Sequence, residues 1–104
     1  MAFDVAILDG QGYPVDQVSL SVDEHYAVMV FARRMSLPLL QNMSDYYEDV
    51  EYTPDEVLGL VQEIRAALAD SGSDAGSARM PLSSLLAISV RAAEGRVGLS
   101  ALAD

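Results

Sequence analysis

Two short stretches of alternating apolar and polar residues near the N-terminus constrain the fold most. Residues 3–8 place Phe3, Val5 and Ile7 on one side, and residues 17–22 alternate in the same way. Side chains of a β-strand point to opposite faces in turn, so each stretch predicts a half-buried strand. Residues 9–16 between them are rich in turn formers, and the three segments together predict a β-hairpin.

Three helices are expected after the hairpin. Ser21 and Glu24 fit a capping box, in which each side chain satisfies a free backbone N–H of the other residue, and a helix over about 23–35 follows. Thr53 and Pro54 form a second start signal, for an amphipathic helix over about 54–70. A third helix, apolar nearly all round, is predicted over about 81–94. A single helical turn is predicted to begin at Pro38.

Residues 71–79 are small and polar and predict a flexible internal loop, and residues 96–102 alternate again and predict a last strand. The apolar strand faces and helix stripes require each other for burial. The predicted fold is therefore α+β: one domain over residues 1–104, with a small, mainly antiparallel sheet of about three strands packed against about three helices.

The stretch from Ser44 to Glu56, the acidic–aromatic block, is the main candidate for function. It holds six carboxylates and three tyrosines, and no basic residue occurs between Arg34 and Arg65. Aromatic rings among uncompensated carboxylates suit contact with a cationic partner. The alternative is a solvated loop whose tyrosines fold back onto the core. The candidate partner-binding residues are Asp45, Tyr46, Tyr47, Glu48, Asp49, Glu51 and Tyr52.

The charge balance indicates the kind of partner. Sixteen acids face six arginines and no lysine among 104 residues, for a formal net charge of -10. Nucleic acids and anionic membranes require a basic footprint, so neither is expected to bind directly. The absence of cysteine removes disulfides and thiolate metal sites and fits a reducing compartment. With no signal peptide and no membrane-spanning run, the expected location is the cytoplasm.

Catalysis is the rival interpretation. His25, the only histidine, lies beside Asp23 and Glu24, which suggests a small enzyme or a metal-dependent domain. Adjacent helical side chains diverge by about 100°, however, so the three do not converge on one point. No serine lies in a nucleophile motif, and EF-hand spacing is absent. The sequence therefore predicts no enzyme, no catalytic residue, no metal site and no cofactor.

Small size, strong acidity, lack of cysteine and an acidic–aromatic patch resemble the bacterial immunity proteins of contact-dependent growth inhibition. The similarity is one of residue type and charge. It extends from Ser-Val-Asp-Glu-His-Tyr-Ala at 21–27 to Met-Ser-Asp-Tyr-Tyr-Glu-Asp-Val-Glu-Tyr-Thr-Pro-Asp-Glu-Val at 43–57. The resemblance implies a protein that binds and neutralises a basic toxin domain, often a nuclease, encoded by a neighbouring gene. A regulatory or scaffold subunit remains a further alternative, and the oligomeric state is left open.

Overall fold

Four antiparallel strands and four α-helices form the computed structural model, which describes residues 2–103 and, for residues 71–74, the backbone alone. The α+β class and the antiparallel sheet are confirmed, with one strand more than expected, and the short helix α2 is the helical turn predicted to begin at Pro38. The elements in chain order are β1 (Phe3–Leu8), β2 (Pro14–Leu20), α1 (Val22–Arg34), α2 (Pro38–Gln41), β3 (Val50–Tyr52), α3 (Pro54–Ser71), a 3-10 helix (Gly72–Ala78), α4 (Arg79–Glu94) and β4 (Leu99–Leu102).

The strand order in the sheet is β2-β1-β4-β3. The predicted hairpin pairs β1 with β2, with Val5 opposite Val18, and β4 pairs with the other side of β1, with Val5 opposite Ala101. Strand β3 then pairs with β4, with Tyr52 opposite Leu99. The first and last strands, β1 and β4, therefore lie side by side in the middle of the sheet, and β2 and β3 form its two edges.

The hydrophobic core lies between one face of this sheet and the helices. The strands contribute buried side chains at alternate positions, Phe3, Val5, Leu20, Leu99 and Ala101, which pack with residues of all four α-helices. The largest fully buried helical side chains are Phe31, Leu40, Leu60, Ile64, Leu82, Leu85 and Ile88. Burying one such side chain is worth about 1.5–3 kcal/mol, so the facing apolar surfaces hold the two layers together.

Both capping signals start helices as predicted. The Glu24 backbone N–H donates to Ser21 Oγ at 3.2 Å, and the Ser21 N–H donates to Glu24 Oε1 at 2.9 Å. Because Ser21 is the N-cap, the predicted strand over 17–22 ends at Leu20, and it begins earlier than expected, at Pro14. Thr53 and Glu56 make the same reciprocal pair at the start of α3.

The predicted connector over 71–79 is instead helical along most of its length. The last residue of α3 is Ser71, and a 3-10 helix interrupted at Gly76 (φ +54°) leads into α4 at Arg79. The small side chains of Ala75 and Ala78 join the core, which allows the backbone to approach α1 closely. Sequence polarity alone did not reveal this burial of methyl groups.

The predicted strand over 96–102 begins only at Leu99. The Val97 N–H returns to the Ala92 carbonyl at 3.0 Å, and Arg96 adopts φ +55°, so these residues terminate α4. Gly98 follows at a very close backbone approach, where a Cβ atom would lie 2.3 Å from the Tyr52 carbonyl oxygen. Only glycine lets the chain pass this point on its way into β4.

Candidate functional site

The acidic–aromatic block runs along the β3 edge of the sheet and is not a loop throughout. It begins with a turn after α2, forms β3 at Val50–Tyr52 and ends in the first turn of α3. No strand was predicted at Val50–Tyr52, because three residues are too few to show an alternation of apolar and polar side chains. Pairing with β4 fixes the backbone of Glu51 and Tyr52 in a defined register.

The four candidate carboxylates are all on the surface. Asp45, Glu48, Asp49 and Glu51 are exposed to solvent. Two of them also order the backbone: Asp45 Oδ1 accepts the Tyr47 N–H at 2.8 Å, and Asp49 Oδ1 accepts the Ala103 N–H at 2.8 Å. The second bond attaches the C-terminal segment to the block across the end of the sheet.

The three tyrosines separate into one exposed ring and two buried ones. Tyr47 is 69% exposed, whereas Tyr46 is 9% and Tyr52 3% exposed. The Tyr47 ring packs edge-on against the ring of Tyr46 at 5.4 Å between centroids. A buried neighbour thus holds an exposed aromatic side chain in place. Of the three tyrosines proposed as partner contacts, Tyr47 alone offers most of its ring to a partner, while Tyr46 and Tyr52 serve the core.

Tyr46 belongs to an aromatic cluster that contains the only histidine. The centroids of Phe3 and His25 lie 4.8 Å apart, and those of His25 and Tyr46 lie 5.0 Å apart. His25 is 5% exposed, and its Nε2–H donates to the Met43 carbonyl oxygen at 2.6 Å. This bond fixes the ring next to the turn that begins the block. His25 therefore connects helix α1 to the buried side of the acidic–aromatic block.

Tyr52 and Glu63 hold the other end of the block. The Tyr52 hydroxyl donates to the Leu39 carbonyl at 2.7 Å, and the Glu63 carboxylate accepts the N–H groups of Leu39 and Leu40 at 2.9 and 3.1 Å. Helix α2 has no side-chain cap of its own at Leu37, so a glutamate from α3 replaces it. These bonds tie α2, β3 and α3 together.

Burial raises the pKa of the Tyr52 phenol above its usual value of about 10, because the ionised form loses hydration, and the negative charges of Glu63 and Glu56 raise this pKa further. The phenol therefore remains a neutral hydrogen-bond donor at physiological pH. Its part in the block is structural.

The arginines belong to the helical layer, and two of them approach the ends of the block. Arg33 lines a pocket with Ser44. Arg96 lines one with Pro54 and Asp55. All six belong to helices or, for Arg96, to the residues that terminate one: Arg33, Arg34, Arg65, Arg79, Arg91 and Arg96. One of them, Arg91 of α4, forms an ion pair with Asp16 of β2. Among residues 2–103, no arginine lies in a strand of the sheet.

Two further findings concern metal binding and membrane-spanning helices. Among residues 2–103, no group of three or more His, Cys, Asp or Glu side chains is arranged to hold a metal ion. No helix in the same part of the chain is both long and apolar enough to cross a bilayer.

The chain matches no protein-family model, no curated protein and no solved structure.

Sequence analysis missed two parts of the site. The hydrogen bonds from the backbone N–H groups of Leu39 and Leu40 to Glu63 were not identified, because they join residues 24 and 23 positions apart in the chain. In the sequence, the helix face that carries Glu63 is simply polar. The bond from Asp49 to Ala103 spans 54 positions, which no local pattern reveals. The capping box at Thr53 was the local signal that located the end of the block correctly.

Proposed function

We propose that this chain is an immunity protein that binds and neutralises a basic toxin domain in the cytoplasm of the producing cell. The observation that carries the proposal is the exposed part of the acidic–aromatic block: Asp45, Glu48, Asp49 and Glu51 are exposed around Tyr47, and no arginine occurs between positions 34 and 65. A surface of this kind attracts cations over a distance and offers one fixed ring for contact.

The carboxylates and the exposed ring have different tasks in this proposal. Carboxylates at the rim of an interface chiefly accelerate encounter, and salt screens their effect. Tyr47 acts as a contact residue, since a ring already held against Tyr46 loses little conformational freedom on binding. Removing it therefore acts mainly on the dissociation rate.

The position of His25 weighs against the rival enzyme hypothesis. Its ring is enclosed by Phe3 and Tyr46, and its Nε2–H is engaged by the Met43 carbonyl. A general acid or base must reach the proton that it transfers, and this ring has little contact with solvent. We therefore propose a non-enzymatic protein in which His25 supports the core.

The test uses the domain encoded by the reading frame next to this gene. That domain is purified and its association with this chain is measured by surface plasmon resonance, and cells expressing the domain are scored for growth with and without this chain. We expect tight, salt-sensitive binding and rescue of growth. Binding without rescue would indicate a scaffold or regulatory subunit, and no binding at low salt would refute the proposal.

A matched pair of tyrosine variants makes the test specific to the block. Tyr47 and Tyr26 are similarly exposed, at 69% and 66%, but Tyr26 lies on α1. Tyr47→Ala is expected to raise the dissociation rate at least tenfold, while Tyr26→Ala leaves it unchanged. Equal effects of the two variants would show that Tyr47 is not a contact residue.

A further inference from the structure

Within residues 2–103, one face of the sheet contributes no side chain to the hydrophobic core that the helices cover. The register places Asp4 beside Ser19 and Leu102, and Ser100 between Ala6 and Glu51, so these six side chains share one face. The alternate residues, such as Val5 and Ala101, point into the core with the helices, and Asp16 on that same side reaches Arg91 of α4. We call the first set the open face.

Charge on the open face has one sign. Asp4 and Glu51 lie on it, and Asp49 stands two residues before Glu51 in the sequence. The six arginines all belong to the helical layer or to the residues that end α4. A second copy of this chain or an anionic membrane would be repelled by this face, and a basic protein surface would be attracted to it.

The open face and the acidic–aromatic block form one continuous surface, because Glu51 belongs to both. Four strands about 4.8 Å apart and between three and seven residues long span at most roughly 15 by 23 Å. A stable protein interface buries about 800 Å² on each partner, so neither the face nor the block is sufficient alone. At the centre of the face, Ala6 and Ser100 are only 0% and 9% exposed, so a partner contacts the more exposed side chains around them.

We propose that the open face is part of the docking surface for the basic partner domain, which lies across the sheet and leaves the helical layer exposed. The inference rests on the proposed function and extends it from the block to Asp4, Gln17, Ser19 and Leu102. It predicts that positive charge added to this face weakens binding of the partner, whereas positive charge added to the helices has little effect on binding.

Two double variants with the same change in charge test this. Gln17→Arg with Ser19→Arg places two cations on exposed positions of β2 on the open face, and Ser83→Arg with Ser84→Arg places two on exposed positions of α4. The shortest dimension of the molecule is 19 Å, which exceeds the Debye length of about 10 Å at 0.1 M salt. Each pair therefore reports mainly on its own side, and circular dichroism verifies that both variants fold.

The probe is a nona-arginine peptide, titrated into the isotope-labelled chain and followed by amide chemical shifts in NMR. We expect shifts at Asp4, Ser19 and Ser100 as well as in the block, about tenfold weaker binding by the β2 variant, and less than about threefold weakening by the α4 variant. Equal weakening of both variants, or shifts confined to residues 45–51, would overturn the inference. Neither result would affect rescue of growth by the chain, so failure of the proposed function is measured separately.

Discussion

Tyr52 provides a prediction in which the hydrogen-bond network and the pH dependence can be tested together. Its hydroxyl is buried and donates to the Leu39 carbonyl, with Glu63 and Glu56 as the negative charges that act on it. The perturbation is Tyr52→Phe, measured across an alkaline pH series. This change removes the only ionisable atom of the side chain and keeps the ring that packs against the core.

The expected magnitudes follow from the environment of the hydroxyl. At pH 8, loss of one buried hydrogen bond costs about 1–2 kcal/mol of unfolding free energy. In the wild type, burial raises the pKa of Tyr52 in the folded state, while in the unfolded chain it is about 10. The folded state holds this proton more tightly, so the stabilisation is complete below pH 10. Above pH 10 it falls by about 1.4 kcal/mol per pH unit until the folded pKa is reached.

The difference in unfolding free energy between wild type and Tyr52→Phe should therefore shrink between pH 10 and pH 11 and almost vanish at pH 11. The assay is urea unfolding followed by circular dichroism at pH 8, 9, 10 and 11. Tyr13→Phe, which removes the hydroxyl of an exposed ring, is the control and should leave stability at pH 8 unchanged. A difference that stays constant from pH 8 to 11 would refute this account of Tyr52.

Five further substitutions test the packing around the site by urea unfolding. Gly98→Ala should cost about 3 kcal/mol of unfolding free energy, because the new methyl group meets the backbone. Gly59→Ala should change the unfolding free energy by less than about 1 kcal/mol, because its methyl group meets only the movable end of a leucine side chain and alanine has the higher helix propensity. Equal effects of the two substitutions would contradict this account. Tyr46→Ala should cost about 3–4 kcal/mol and Tyr47→Ala less than about 0.5 kcal/mol, in line with their burial; a large loss for Tyr47→Ala would place that ring in the core. His25→Ala should cost about 2–4 kcal/mol and leave binding by the folded variant intact; loss of binding without loss of stability would contradict the core role assigned to His25.

The elements specified by local chemistry were predictable from the sequence. Ser21 and Thr53 start helices at the expected places because a capping box requires only residues three apart. The hairpin was predictable because strand alternation is itself a local pattern. The boundaries of the hairpin were harder to predict, because in the sequence Leu20 and Ser21 each fit either the strand or the start of the helix.

Features that depend on distant contacts could not be predicted. Strand β3 exists because β4 lies beside it, and three residues with an exposed Glu51 carry no strand signal of their own. Burial of Ala75 depends on the nearby α1. The sequence located the acidic–aromatic block, but the division of its tyrosines into exposed Tyr47 and buried Tyr46 and Tyr52 was decided by which side of the chain faces the core.

The central claim is that exposed carboxylates of the block attract a basic partner. The direct measurement is the association rate with the domain encoded next to this gene, as a function of salt, for wild type and a quadruple variant with Asp45→Asn, Glu48→Gln, Asp49→Asn and Glu51→Gln. The amide oxygens can still accept the backbone bonds made by Asp45 and Asp49, so the fold is retained. Wild type should associate at least tenfold faster at low salt and lose this advantage at high salt. A quadruple variant that associates as fast as wild type at low salt would contradict the claim.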